Sequence, residues 1–73
     1  MATQIVMDRT GDTRHEFNPA DAAAIAAAEA RFKELTGAGF TAAARKGEGR
    51  SEFLREFDPA VDETVFFPRL QGG

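Results

Sequence analysis

The chain has no cysteine, tryptophan or tyrosine, one histidine and only three prolines. Without cysteine there can be no disulfide, thiol nucleophile or cysteine metal site, although that absence is neutral about compartment. One imidazole with no second histidine and no thiol cannot build a zinc site. No apolar run is long enough for a signal peptide or a membrane span, because Glu29 and Arg31 interrupt the alanine-rich stretch. A cytoplasmic protein without membrane contact is therefore expected. Positive charge is also short. Nine basic residues against twelve acidic ones give a net charge of −3, and the arginines are scattered rather than striped. Nucleic acid is not expected as a partner.

What is present suits one small domain. A chain of 73 residues buries only roughly 60% of its unfolded surface, so its stability margin is thin. Seven phenylalanines compensate, each being a large apolar body that reaches far into a small core.

In chain order, Thr3–Asp8 reads as a strand with Ile5 and Met7 on one face. Arg9–Asp12 is a turn in which Gly11 supplies the positive φ, and Thr13–Phe17 returns as the partner strand. Asn18-Pro19-Ala20-Asp21 is a helix start, with Asn18 as the cap and Pro19 in the first turn. The helix is expected to run to Leu35, with Ile25, Ala28, Phe32 and Leu35 as its apolar stripe. Gly37 or Gly39 should close it in a left-handed conformation. Phe40–Arg45 is strand-like by position more than by propensity. In Ser51–Phe57, Phe53 and Phe57 fit a helical turn, while Phe53, Arg55 and Phe57 fit a strand face; a short strand is the expectation. A turn at Asp58-Pro59-Ala60 leads to the last strand around Val65-Phe66-Phe67. Ile5, Phe17, Ile25, Phe32 and Leu35 form the expected core.

Pro68 removes a backbone donor and so belongs at a sheet edge or at a strand's end. Beyond it come Arg69, Leu70, Gln71 and then two residues without side chains, Gly72 and Gly73. Such a tail contributes almost no packing energy. It does offer a narrow α-carboxylate that can enter a channel where any Cβ would collide.

The ending Arg69-Leu70-Gln71-Gly72-Gly73 resembles that of the ubiquitin-like, β-grasp proteins. So do the hairpin carrying Gln4-Ile5 and Thr10-Gly11-Asp12-Thr13, and the Pro19-Ala20-Asp21 helix start. The stretch Asp62-Glu63-Thr64-Val65-Phe66-Phe67-Pro68 is similar to the small subunit of molybdopterin synthase, a sulfur carrier of the same superfamily. The resemblance implies an α+β, β-grasp fold: a mixed four- to five-stranded sheet wrapped on one helix over residues 1–70, with 71–73 as a flexible tail. Bacterial ubiquitin-like modifiers are the group most resembled. Their function implies that Gly73, with Gly72, is the conjugation site. An activating enzyme would adenylate the carboxylate with ATP-Mg, and a conjugating enzyme would transfer it to an amine on target proteins. A deconjugating peptidase would reverse the linkage. The chain itself would need no cofactor and no metal, and would be a monomer alone. In the carrier branch the same carboxylate becomes a thiocarboxylate. An interaction module without tail chemistry is the third possibility.

The residues themselves assemble no nucleophile, base and orienter, so the chain is expected not to be an enzyme. His15 alternates between Thr13 and Phe17 on a strand and reads as structural. Asp58, Asp62 and Glu63 flank a proline turn and read as solvated. Arg69, Leu70 and Gln71 would set the register against the activating enzyme. Lys33 and Lys46, the two lysines, are the possible acceptor amines. In the last strand either Phe66, or Val65 with Phe67, must face away from the helix. Phe66 is the expected outward residue and partner-surface anchor, because Val65 and Phe67 together would bury more area.

Overall fold

The computed structural model describes residues 1–46 and 49–68. Strand β1 (Ala2–Asp8) pairs antiparallel with β2 (Gly11–Phe17) from Ala2↔Phe17 to Asp8↔Gly11. Gly11 turns the hairpin at φ 122°, as the sequence predicts. Asp8 Oδ1 accepts from Thr10 Oγ1 at 2.6 Å and from Thr10 N at 2.8 Å, which closes the turn. These two bonds, the hydroxyl's first, hold the Asp8 carboxyl below its ordinary pKa.

The helix begins later than expected. Asn18 Oδ1 accepts from Ala20 N, and Asn18 O from Asp21 N, both at 2.9 Å, so Asn18 and Pro19 form a turn. Helix α1 (Ala22–Gly37) is capped instead by Asp21, whose Oδ1 accepts from Ala23 N at 3.0 Å and Ala24 N at 3.3 Å. A carboxylate that reaches two orphan N–H groups is the stronger cap, and it lies at the positive end of the helix dipole. At the other end Ala38 N donates to Glu34 O and Leu35 O, and Gly39, at φ 101°, sends the chain back to the sheet.

Strands β3 (Phe40–Lys46), β4 (Arg50–Leu54) and β5 (Glu63–Pro68) complete one five-stranded sheet of order β2-β1-β5-β3-β4. Among the described residues the fold is α+β, a mixed sheet with a single helix on one face. All pairs are antiparallel except β1 with β5, which run parallel from Thr3↔Glu63 to Val6↔Phe66. A parallel pair cannot be joined by a hairpin. Helix α1 and the strands after it form the long crossover. The low β-propensity of Ala42, Ala43 and Ala44 is overridden by pairing on both sides and by burial.

Strand β4 is shorter than the sequence predicts. It ends at Leu54, the chain bends, and Phe57 crosses to the helix side while Phe53 stays on the other. Four phenylalanines then form a chain of edge and tilted contacts. Ring centroids lie 5.7 Å apart for Phe32–Phe66, 6.0 Å for Phe32–Phe57 and 6.2 Å for Phe17–Phe57. Phe57 thereby joins the Val6, Phe32, Ala42, Phe66 cluster to the Ala2, Phe17, Ala28 cluster. Of the expected core, Phe17, Phe32 and Ile5 are buried, whereas Ile25 and Leu35 are only partly covered at the helix margins. Ile5 is buried on the face away from the helix, because Ala2, Gln4 and Val6 take the helix side.

Gln4 is the polar residue at the centre of that interface. It is 1% exposed, its Nε2 donates to Ala28 O at 3.0 Å, and its Oε1 accepts from Arg31 Nη1 at 2.9 Å. The amide pins β1 to α1 in one register. Arg31→Ala strips a buried acceptor of its donor and should cost about 1–3 kcal/mol, well above the norm for a partly exposed arginine. Urea denaturation of Arg31→Ala, Gln4→Leu and the double variant should show losses that fall short of additive. Strict additivity would mean that the contact contributes nothing.

Candidate functional site: the last strand and the open sheet face

Strand β5 lies in the middle of the sheet, between β1 and β3, and not at an edge. Pro68 is tolerated there because the β1 ladder ends at Val6↔Phe66, two residues earlier, and only Phe40 of β3 lies opposite it. Arg69, Leu70, Gln71, Gly72 and Gly73 lie outside the described residues.

The expectation for Phe66 is corrected. Phe66 is 0% exposed and packs on Val6, Phe32 and Ala42 beneath the helix. The parallel register dictates this: Val6 faces the helix, and its partner Phe66 must do the same. Within β5 alone, burying Val65 and Phe67 covers more area than burying Phe66. The parity is set in β1, where Gln4 looks like a solvent-facing residue and is not.

Val65 and Phe67 therefore belong to the helix-free face. Paired positions run across it as Arg14, Ile5, Val65, Ala43 and Phe53, one from each strand. Ile5, Val65 and Ala43 are buried in the sheet's centre, and Met7 and Phe67 are half-buried. Phe53 at the edge is 74% exposed. This face is bordered by the Arg45 Nη1–Glu63 Oε1 ion pair at 2.8 Å. Phe67, Met7 and Phe53 are the surface residues that sequence reasoning did not single out. The signal for Phe67 was the alternation itself, read in the wrong phase.

Both lysines are accessible as amines. The Lys33 side chain is 75% exposed, 3.9 Å from Glu29 one turn back. The Lys46 side chain is 59% exposed and more firmly paired, 2.9 Å from Glu52. They lie on different elements and do not converge.

Asp58 Oδ1 accepts from Ala60 N at 2.9 Å and holds the turn before β5, and Asp62 O accepts from Thr3 N at 2.8 Å where the parallel ladder starts. His15 lines a shallow groove between β2 and α1 with Thr13, Ala27, Ala30 and Arg31. Burial first, and the Arg31 charge second, lower its pKa. The folded state thus favours neutral imidazole. That contribution is complete above the ordinary histidine pKa and is lost as pH falls from there through the lowered folded-state value, because the unfolded chain binds the proton first. His15→Gln should flatten the dependence of melting temperature on pH between neutral and mildly acid conditions; an unchanged slope would assign it to other groups.

Among the described residues no group of three or more His, Cys, Asp or Glu could hold a metal ion. No helix among them is long and apolar enough to cross a membrane. The chain matches no protein-family model, no curated protein and no solved structure.

Proposed function

We propose that this chain is a β-grasp, ubiquitin-like protein modifier whose Gly73 carboxylate is the reacting group. One observation carries the reading. The segment Arg69-Leu70-Gln71-Gly72-Gly73 follows immediately on the central strand of a sheet whose first and last strands are parallel and linked through a single helix. That arrangement is the plan expected of a β-grasp protein.

A free carboxylate is a poor acylating agent. In the proposed sequence a carboxylate oxygen of Gly73 attacks the α-phosphorus of ATP on an activating enzyme, and pyrophosphate leaves. A nucleophile of the conjugating enzyme then displaces AMP, forming an ester or thioester. Finally a target amine displaces that nucleophile and an amide results. Gly72 keeps the approach narrow, while Arg69, Leu70 and Gln71 set its register. The body contact assigned to Phe66 passes to Phe67 and Met7 on the open face, beside the tail's point of departure. Lys33 and Lys46 are the amines available if chains form.

The run Phe66-Phe67-Pro68 favours a second reading, a sulfur carrier in which sulfide displaces AMP. Intact mass spectrometry after incubation with ATP in extract of the source cells separates the two. A modifier appears as a Gly73–lysine amide on another protein, a carrier as the free chain with one oxygen exchanged for sulfur. Neither product from active extract would overturn both.

A further inference from the structure

Strand β4 ends the sheet, and among the described residues its outer edge has no partner strand. An unpaired edge is a template for another strand, and proteins usually blunt it with charge or proline. Here it carries Phe53, 74% exposed. Neither the proposed tail chemistry nor the helix-side core uses that side chain, and β3 separates its strand from β5. The expected monomer leaves it unexplained.

We propose that β4 is a homodimer edge: two copies pair antiparallel through β4 about a two-fold axis at Phe53. Such an axis, normal to the sheet, keeps both helices on one side and makes residue i face residue j with i + j even. Few registers satisfy this. Centring on Glu52 sets two carboxylates directly opposite each other, and centring on Leu54 opposes Glu52 to Glu56; like charges across strands repel. Centring on Ser51 pairs Arg50 with Glu52, a carboxylate already held by Lys46 at 2.9 Å, and leaves Phe53 against Gly49. Centring on Phe53 stacks the two exposed rings as a cross-strand pair and sets Arg50 opposite Glu56. Both of those residues are exposed and without an ion-pair partner among the described residues. The outer pairs need Arg55 and Glu56, now in a bend, to continue the strand by two residues. The helix-free faces then merge into one surface of ten strands, with each β5 two strands from the seam.

Sedimentation equilibrium from micromolar to millimolar protein tests this. The wild type should dimerise reversibly over that range. Phe53→Glu should raise the dissociation constant at least about tenfold with an unchanged melting temperature, since the side chain is exposed. Arg50→Glu and Glu56→Arg should each weaken the dimer, and the two together should restore it. A wild type monomeric throughout would overturn the proposal, as would a dimer indifferent to Phe53→Glu. A charge exchange that fails to restore association would overturn the register. Capture of an extended peptide by a monomeric wild type would assign the edge to a different partner. None of these outcomes depends on Gly73, so they leave the tail reading to its own test.

Discussion

Phe66→Ala should remove about 3–5 kcal/mol of stability. Small domains have only about 5–15 kcal/mol in total, and a chain of this length sits at the low end, so much of the population should unfold. The reason is position. Phe66 is fully buried on the central strand, meets Phe32 edge-on at 5.7 Å, and fills the space between Val6 and Ala42. Truncation to alanine leaves a cavity that cannot collapse, because β1 and β3 are held on either side by continuous ladders. Its neighbour Phe67 is half-buried on the open face, and Phe67→Ala should cost no more than about 1–2 kcal/mol. Urea denaturation of both variants measures the contrast. A larger loss for Phe67 than for Phe66 would reverse the parity of β5 and return Phe66 to the surface.

The same pair of residues shows where sequence reasoning succeeds and where it stops. The hairpin turn at Gly11, the returning strand to Phe17 and a left-handed closure at one of Gly37 and Gly39, which proves to be Gly39, are legible because each depends on local chemistry: positive φ, alternation, a helix end. The burial of Phe32 followed from helical spacing. The choice between Asn18 and Asp21 as cap did not, since both are good acceptors and only the backbone path decides. The face of Phe66 was illegible for a different reason. It is inherited from β1 across a contact of 60 residues' separation, Val6↔Phe66, and β1 hides its parity by burying a glutamine. The helix-side role of Gln4 depends on Ala28 O and Arg31, neither of which carries a pattern of its own. The end of β4 is illegible in the sequence because Phe57 fits both a strand face and the core; the bend after Leu54 resolves it.

Deleting Gly72-Gly73 should abolish covalent attachment to targets while leaving folding stability unchanged. If Gly73 is the acyl donor, its carboxylate must be terminal and the approach to it unhindered. Replacing Gly73 by a bulky residue, or adding one residue after it, should therefore abolish attachment as completely as the deletion does. The stability side of the prediction rests on the body: the buried cluster formed by Val6, Phe32, Ala42 and Phe66 and the ladders on both sides of β5 are complete without those two residues. A tail without chemical function predicts the opposite pattern, with all of these variants indistinguishable from the wild type. The most direct measurement is ATP-dependent attachment of the wild type and the deletion variant in cells of the source organism, read by mass spectrometry of target peptides. The account predicts a Gly73-linked amide on lysine for the wild type and none for the variant; equal attachment by the two, or no Gly73-linked adduct of any kind from the wild type, would contradict it.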